Sequence, residues 1–567
     1  MKRNFIKIPI LAIGLTISAL SLNSCLKEDE VSITEPTRYT EDDVKSYGDL
    51  FKLFWTVMDE RYNYFYEQKR KDGMDWDAIY KEYYPKFAAL KSYKQEGFTS
   101  QEKESDAKKA EEYFAAIIEP IIDRHFVIGI QLPTGGNLKV FRGDSKSKKN
   151  NIYDFTGKRT YMINQLTSDS SIAGNFTDAL GNVTFRFLAG NLKSNPDIYY
   201  LTSDGFSFYN LIMQPADQYL VPGSDNTNIL TLAAIESNAE LNAIKDVSQR
   251  NKVRDFTLNI LNQWNSFFTS ADVRNFNEGV KVFNSTEIVS DAFITAANSV
   301  SIKSATLPNY ASSSTYSSVR NTATQAYITW FMGRIKAHTE NAYNYPKFKS
   351  DIPGILYRMK FYQKLFNPLQ RGEIKKLIID LRDNGGGAVV DFKYFVERFV
   401  TKNAIYAYQR TKEGTGRFNY TPWIPVEAKR HQYAMSSNIP ITILTDKGSV
   451  SMSELSTLML KSQGSQVISI GDYTAGGTAG LTTDLDQFNG GINNLSGGFT
   501  SVAGLMRFYV PVMATKDMNG QVIEGIGIKP DIYVTPPTDA ELTTMKNSPS
   551  TFVDRVMQEA VKYLSSK

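Results

Sequence analysis

The stretch Leu377-Ile-Ile-Asp-Leu-Arg-Asp-Asn-Gly-Gly-Gly387 decides the fold of this chain. It begins as a short apolar run and ends in three consecutive glycines, a pattern typical of a buried strand followed by a tight turn. Residues 388–400 then follow a helical pattern, which predicts a helix there. The same order returns with a strand and a helix over residues 439–460, and a further strand is expected at residues 467–470. Such alternation predicts a mixed α/β core in which helices pack on a sheet.

The composition sets broad limits on the class of protein. Of 567 residues, 42% are hydrophobic and 22% are charged, so the chain can build real cores and wholesale disorder is excluded. Lysine and arginine number 64 against 60 acidic residues, and this net charge of +4 is too small for an electrostatic nucleic-acid binder. The single cysteine excludes disulfides within the chain and cysteine-based zinc sites.

The N-terminus is typical of an export signal. It opens with three basic residues, Lys2, Arg3 and Lys7, and continues with an apolar run over residues 8–20 that is too short for a permanent membrane span. The run leads to Leu22-Asn-Ser-Cys25, which resembles a bacterial lipobox and implies cleavage before Cys25 and lipidation of its thiol. The alternative for Cys25 is a buried core cysteine. The acidic residues 28–30 after Lys27 resemble the surface-export signal of Bacteroidetes lipoproteins.

These patterns divide the chain into segments. The region after residue 40 shows apolar residues at helical spacing, residues 131–200 hold short β-like pieces, and residues 215–350 mix loops with helical patterns. We expect a signal peptide at 1–24, a tether at 25–45, an N-terminal helical domain at 46–130, a β-rich segment entering the core at 131–210, a mixed and partly helical insertion at 211–350, the core at 351–540 and a C-terminal helix at 541–567.

The three glycines after the first core strand allow close backbone approach, and their N–H groups can point outward. Such groups can hold a phosphate or an oxyanion. A phosphate loop would need a lysine and a serine or threonine after the glycines, and residues 388–390 supply neither. An oxyanion site and a plain structural turn both remain open at this point.

A serine-rich turn, Gly448-Ser-Val-Ser-Met-Ser-Glu454, lies between the second strand and its helix. Ser451 and Glu454 have the spacing of a helix capping box, which is the structural interpretation. A nucleophile at this position would gain from the helix dipole and the nearby N–H donors, so the two interpretations are compatible.

Together these segments resemble the tail-specific, or C-terminal processing, serine peptidases. The match rests on five ordered motifs, at Asp123-Arg-His125, Leu377–Gly387, Gly448–Glu454, Gly471–Gly477 and Glu524–Asp531, and on a stretch at Trp55–Pro85 similar to the helical domain of Bacteroidetes members. It covers roughly residues 45–130 and 350–535. The family implies a mixed α/β core related to the Clp-protease/crotonase spiral fold.

The resemblance assigns the nucleophile to Ser451, the middle serine of its motif. In the Ser/Lys branch of the family a lysine base stands at the position that is Gly477 here, so that dyad is absent. A serine hydroxyl needs a base to react at neutral pH. The base must therefore come from elsewhere in the chain.

The other branch, similar to the tricorn-protease core, provides one. Its pattern implies His125 as general base and Glu524 as the carboxylate that orients the imidazole. A serine that precedes the histidine in that pattern is Arg124 here, so the link from Glu524 to His125 is expected to be direct, bridged by water or missing. Without the motif order, His125 is equally a structural histidine beside Asp123, and Glu524 a solvated acid.

The oxyanion donors implied are the N–H groups of Met452 and of Gly385 or Gly386. His338 and His431 lie in polar stretches, and we expect both to be exposed. Residues 131–195 show no convincing PDZ-type carboxylate-binding loop, so recognition of free C-termini is not supported. The insertion is expected to cover the cleft, bind substrate or form an interface.

The leading hypothesis is a serine endopeptidase that uses no metal or other cofactor and acts on peptide or protein substrates. Its lipid anchor at Cys25 would hold it to the outer membrane of the cell envelope, on the periplasmic or the outer face. The alternative is a catalytically silent lipoprotein that binds peptides or glycans on a peptidase scaffold, which Gly477, Arg124 and the large insertion favour.

Overall fold

The computed structural model describes residues 40–133, 138–144, 152–177, 183–223, 226–414, 416–478, 491–493, 504–511 and 513–567. The expected signal peptide and Cys25 lie outside these residues. Among the described residues, no helix is both long enough and apolar enough to cross a bilayer.

Four helices open the described chain: α1 Tyr47–Arg61, α2 Phe65–Asp72, α3 Trp76–Ala88 and α4 Ser100–Ile118. Their apolar faces meet in an aromatic core in which Phe51 stacks on Phe87 with ring centroids 4.8 Å apart, and Phe114 packs against Phe87 at 4.7 Å. The helical character predicted for this region is confirmed.

Helix α4 runs through residues 100–112, where charged side chains predominate. The structure has one continuous helix, begun by Thr99, whose hydroxyl accepts from the Glu102 N–H and whose own N–H donates to the Glu102 carboxylate. The charged residues form its exposed face, while Ala107, Ala110 and Phe114 are buried. A helix needs only one apolar stripe, so a charged segment with alanines at the right spacing is helical too.

The next segment leads into the core through β1 Val127–Ile130, β2 Lys139–Arg142, α5 Phe155–Ile163, β3 Ile172–Thr177, β4 Val183–Asn191 and β5 Ile198–Ser203. The expected insertion at 211–350 and the residues just after it are helical, with α6 Leu232–Glu236, α7 Ala239–Asn242, α8 Val247–Phe268, α9 Ala271–Thr286, α10 Asp291–Ser304, α11 Gln325–Lys336, α12 Tyr345–Phe361 and α13 Asn367–Gln370. Its apolar side chains are continuous with the hydrophobic cluster beneath the main sheet.

The remaining elements form the core and the C-terminus: β6 Lys376–Asp380, α14 Asp391–Tyr394, β7 Ala404–Thr411, β8 Ile424–Ala428, β9 Ile441–Thr445, α15 Met452–Lys461, β10 Val467–Gly471, β11 Gly491–Asn493, β12 Met506–Pro511, β13 Met513–Lys516, β14 Ile532–Tyr533, α16 Asp539–Asn547 and α17 Arg555–Ser565. Residues 541–567 thus contain parts of two helices rather than one, and Pro549 lies in the 3-10 turn between them.

A seven-stranded sheet organises the molecule, in the order β14-β10-β9-β6-β5-β4-β3. Its first five strands run parallel, and β4 and β3 are antiparallel to their neighbours. The carboxyl ends of parallel strands meet at one edge, which is where ligand and catalytic sites form in such sheets. The loops after β5, β6, β9 and β10 all leave from this edge. The predicted mixed α/β class is confirmed.

A second, four-stranded antiparallel sheet joins the N-terminal region to the core. Its order is β11-β12-β1-β2, and β1 pairs with β12 so that Val127 faces Tyr509. A third sheet, β13-β7-β8, lies against the N-terminal helices, where Arg410 on β7 pairs with Glu67 on α2 at 2.9 Å. These contacts fix the segment before β1 beside the parallel sheet.

The helix predicted over residues 388–400 is much shorter in the structure. Only Asp391–Tyr394 is α-helical, and Val396–Phe399 forms a 3-10 turn. The start of the segment is drawn into strand-like pairing, because the Ala388 N–H donates to the Phe206 carbonyl at 2.8 Å. Phe395, at φ −129° and ψ −63°, then interrupts the helical path.

A buried ionic network lies under the turn that follows β6. The guanidinium of Arg382 contacts Asp380 at 2.7 Å and Asp554 at 2.8 Å, and it lies 3.9 Å from the ring centroid of Tyr153. Lys158 completes the network through Asp380 at 3.2 Å and through the Arg382 carbonyl. Two basic and two acidic groups therefore compensate one another in the interior, and they tie the start of α17 to the glycine turn.

Replacement of Asp554 with alanine should destabilise the protein by about 3–5 kcal/mol, because it leaves the buried Arg382 charge only partly compensated. Urea unfolding followed by tryptophan fluorescence measures the change. Glu559→Ala is the matched control on α17: its partner Lys562 is exposed, and such pairs contribute at most about 1 kcal/mol. Equal losses in the two variants would contradict this account of the network.

Candidate active site

Ser451 lies at the start of α15, in the turn that leaves the carboxyl end of β9. Its backbone has φ +58° and ψ −115°, a conformation that costs energy for a residue with a side chain and that recurs at functional sites. The serine is half-buried, whereas the nine residues that follow it are buried. Among residues 451–460, Ser451 alone is therefore partly accessible to solvent.

Glu454 fixes this turn to the loop after β10. One carboxylate oxygen, Oε2, accepts from the N–H of Ser451 at 3.0 Å and from the N–H of Gly477 at 2.8 Å. The other, Oε1, accepts from the Gly476 N–H at 2.8 Å and from the Thr474 hydroxyl at 2.6 Å. The carboxylate part of the predicted capping box is present, and Glu454 does more than cap, since Ser451 and Gly477 share one oxygen atom.

His125 reaches the same place from the N-terminal side, two residues before the start of β1. The side chain of Asp123 accepts from the His125 N–H at 2.8 Å and from the Phe126 N–H at 3.1 Å, which holds the turn that carries the imidazole. A Cβ atom at Gly477 would lie 3.5 Å from Cε1 of His125. The imidazole thus occupies the space beside Gly477, where the Ser/Lys branch carries its lysine.

Glu524 is buried close to His125. It accepts from the Thr478 N–H at 2.9 Å and from the Arg124 N–H at 3.2 Å. The Arg124 side chain pairs with Asp144 at 2.9 Å. Arg124, which replaces the bridging serine of the tricorn pattern, therefore holds Glu524 through its backbone.

The Glu524–His125 link is close but is not a direct hydrogen bond. One ligating atom each from Asp123, His125 and Glu524 lie within 4.8 Å of one another. Nδ1 of His125 is buried and has no hydrogen-bond partner among the described residues. The structure therefore brings the three groups together without closing the Glu–His pair.

Burial governs the protonation of this cluster. It lowers the pKa of His125 to about 4, so the imidazole is neutral and able to accept a proton at pH 7. Burial raises the pKa of Asp123 to about 7, against the effect of its two backbone donors. It also raises the pKa of Glu524 well above its ordinary value, and the charges of Asp123 and Glu454 add to that effect.

The predicted oxyanion donors are only partly available. The Gly386 N–H donates to the Asn384 side chain at 3.0 Å, and the Gly385 N–H makes a long contact of 3.4 Å with the Asp204 carbonyl. The Gly386 donor is therefore engaged within the loop in this structure. The Met452 N–H lies at the start of α15, directly across from the α-carbon of Gly386.

Asn384 is a site residue that sequence reasoning missed. Its amide nitrogen donates to the Ser203 carbonyl at 2.9 Å, and its oxygen accepts from the Ser453 hydroxyl at 2.6 Å as well as from Gly386. It joins the ends of β5 and β6 to α15. Its position between an acidic strand end and three glycines was the signal available in the sequence.

The other two histidines are structural, and the prediction that both are exposed is wrong. His338 is buried: its Nδ1 accepts from the Leu230 N–H at 3.0 Å and its Nε2 bonds to the Asn265 side chain at 2.9 Å. His431 is half-buried, and its Nδ1 accepts from the Tyr433 N–H at 3.0 Å. Polar neighbours in sequence concealed these bonds to backbone groups.

Gly386→Ala should lower the rate of reaction of Ser451 with a fluorophosphonate probe by at least about 100-fold, the effect of losing an oxyanion donor. Gly386 has φ +83°, and an added Cβ would lie 2.7 Å from Cβ of Ser451 and 2.9 Å from the Met452 nitrogen. Gly73→Ala is the matched control, since Gly73 has φ +76° with open space around it. Undiminished labelling of a folded Gly386→Ala variant would show that this close approach is not needed.

Comparisons with known proteins agree with the predicted resemblance. Residues 345–534 match the family model of peptidase family S41. The carboxy-terminal processing protease CtpB of Bacillus subtilis is 30% identical over 115 residues, which make up 20% of this chain and about a fifth (22%) of that relative. A candidate peptidase from Parabacteroides merdae is 14% identical, with a TM-score of 0.45 over 92% of this chain and 97% of that one. Mature CPAF complexed with lactacystin is 11% identical, with a TM-score of 0.39 over 92% and 99%.

The matched residues contain the glycine turn, Ser451, Gly477 and Glu524, whereas His125 lies before them. The resemblance to C-terminal processing peptidases that the ordered motifs predicted is thereby confirmed. The match to peptidase family S41 spans residues 345–534, about a third of this chain.

Proposed function

We propose that the protein is a serine endopeptidase, with Ser451 as nucleophile, His125 as general base and Glu524 as supporting carboxylate. One observation carries the proposal: Ser451 and Gly477 bind the same Glu454 oxygen, and His125 packs against Gly477. A serine in a strained turn at a helix start and a neutral imidazole therefore lie on the two sides of one glycine. Acyl transfer by a serine needs a base close to the nucleophile, and this placement supports His125 in that role.

The reaction follows from the positions of the groups. His125 takes the Ser451 Oγ proton as that oxygen attacks the substrate carbonyl, and it returns the proton to the leaving amine as the C–N bond breaks. Water then attacks the acyl-enzyme, with His125 again as base. The imidazolium formed in each step is stabilised by the two carboxyl groups beside it, Asp123 and Glu524.

The negative oxygen of the tetrahedral intermediate would be held by the Met452 N–H and the glycine turn. The Gly386 N–H becomes a second donor when the 385–386 backbone turns away from Asn384, and the exposed Gly385 and Gly387 on either side leave room for that movement. Substrate binding would supply the competing acceptor, as catalytic hydrogen bonds commonly tighten only in the substrate complex. No step uses a metal or other cofactor.

The substrate class is a peptide or protein, which is what the S41 domain supports. The chain would act at the cell envelope, held to the outer membrane by lipid on Cys25. The support for this location is the basic, apolar and Leu-x-Ser-Cys pattern of the first 25 residues.

Ser451→Ala should abolish fluorophosphonate labelling and lower kcat/KM for any cleaved peptide by at least about 10⁴-fold, since no other group replaces the nucleophile. His125→Ala should lose labelling as well. Ser462→Ala, at the far end of the same helix, is the matched control and should label normally. Hydrolysis that persists in Ser451→Ala at the wild-type rate would rule out this mechanism.

The pH profile of kcat/KM tests the base. Because burial lowers the pKa of His125 to about 4, the neutral imidazole persists below the ordinary histidine range near 6.5. We expect more than half of the maximal kcat/KM to remain at about pH 5.5, with activity lost as the pH falls towards 4. His431→Ala should leave the profile unchanged. A half-maximal point at or above the ordinary histidine pKa would contradict a desolvated base.

Lipidation of Cys25 is tested by mass spectrometry of protein extracted from the membrane fraction of expressing bacteria. The mature N-terminus should be Cys25 carrying acyl chains, and Cys25→Ser should move the protein to the soluble fraction. An unmodified Cys25 in mature protein would remove the anchor from the proposal.

The alternative function, a silent peptide- or glycan-binding lipoprotein, is favoured by the unpaired Nδ1 of His125 and by the engaged Gly386 N–H. It predicts that wild-type protein fails to label while a ligand still binds near Ser451. Labelling of the wild type that requires both Ser451 and His125 would exclude it.

A further inference from the structure

Asp123, His125 and Glu524 make a compact group of three metal-binding side chains at the edge of the site. One ligating atom of each lies within 4.8 Å of the other two. Asp123 and Glu524 are buried, and His125 is half-buried, so the group is reached from the side of the imidazole. We propose that these residues bind Zn²⁺ and that the bound ion switches the peptidase off.

Asp123 and His125 each have a buried side-chain atom without a hydrogen-bond partner among the described residues. In Asp123, Oδ1 accepts two backbone N–H groups while Oδ2 is buried without a hydrogen-bond partner in the described structure. Nδ1 of His125 is likewise buried without a hydrogen-bond partner in the described structure. A buried polar atom without a partner costs free energy, which a cation bound to both atoms would recover. This second observation distinguishes the group from an ordinary acidic cluster.

Glu524 can join these two without losing its present role. Its Oε1 accepts from the Arg124 N–H, and its Oε2 accepts from the Thr478 N–H with the Tyr64 and Thr478 hydroxyls 3.5 Å away. A carboxylate has about four acceptor positions, so a metal ion can be bound from the Oε1 side. A divalent cation bound between the two buried carboxyl groups would displace their protons, because the charge of the ion favours the ionised form of both groups.

The donor set suits zinc. Zinc binds imidazole nitrogen and carboxylate oxygen at about 2.0–2.2 Å, which places tetrahedral ligands about 3.4 Å apart. The group must therefore contract from its present limit of 4.8 Å when it binds the ion. Three protein ligands leave a fourth position for water.

The inhibitory effect follows from the tautomer of His125. A neutral imidazole that binds zinc through Nδ1 carries its proton on Nε2. Nε2 is then a donor and cannot accept the Ser451 proton. The ion also occupies the carboxylates that would stabilise the imidazolium. This half of the inference rests on the proposed peptidase function, whereas zinc binding itself does not.

Binding is measured with ZnSO₄ on the purified Ser451→Ala protein, by isothermal titration against a competing chelator, so that no catalysis is involved. We expect one tight site per chain. His125→Ala and Glu524→Gln in the same background should weaken binding at least 30-fold, and His431→Ala should bind as the parent does. Circular dichroism establishes that each variant is folded.

A spectroscopic test of the same metal site requires no substitution at Asp123, His125 or Glu524. Co²⁺ bound in place of zinc should give the visible absorption of a four- or five-coordinate site with one nitrogen and several oxygen ligands. If the protein hydrolyses peptides, Zn²⁺ should inhibit it reversibly, and a chelator should restore the rate.

Two results would overturn the inference: no stoichiometric zinc on Ser451→Ala, or zinc binding that survives His125→Ala unchanged. Peptidase activity unaffected by bound zinc would overturn the inhibitory half alone. Absence of peptidase activity together with tight zinc binding would refute the proposed function and leave the zinc site standing.

Discussion

Buried carboxylates held mainly by backbone N–H groups are the constraint on which the site depends. Glu454 fastens the loop after β10 to the nucleophile turn through four donors. Asp446, at the end of β9, accepts from the N–H groups of Tyr153, Asp383 and Gly448. An ionised carboxylate in a protein interior is stable only when its oxygens are satisfied, so each of these acids fixes the loops that supply its donors.

A bond to one of these carboxylates also explains why a glycine at position 477 matters for the site. Gly477 offers its N–H to Glu454 and its open face to the His125 ring. A Cβ atom at this position would also lie 3.2 Å from the Val450 side chain, so both walls of the space are occupied. In the proposed mechanism the lysine missing at Gly477 and the histidine from the N-terminal segment are therefore related, because the His125 ring lies beside Gly477.

The central strand, its glycine turn and the choice of site residues could be predicted from the sequence for physical reasons. The run at residues 377–381 and the glycines after it fix a buried parallel strand and its turn, and motif order placed Ser451, His125 and Glu524 together. Hydrogen-bond partners were not predictable. Nothing in the local sequence indicates that Asn384 engages the Gly386 N–H, or that Arg124 reaches Glu524 with its backbone, because these bonds depend on how distant loops settle against each other.

The pairing of β1 with β12 affects the order in which the chain can fold. The contact between Arg124 and Glu524 joins residues 400 positions apart. During synthesis His125 emerges long before β12, and its turn cannot take its final place until residues 506–511 and Glu524 have followed. Long-range pairing of this kind forms late in folding. A site assembled in this way is complete only after nearly the whole chain has been made and folded.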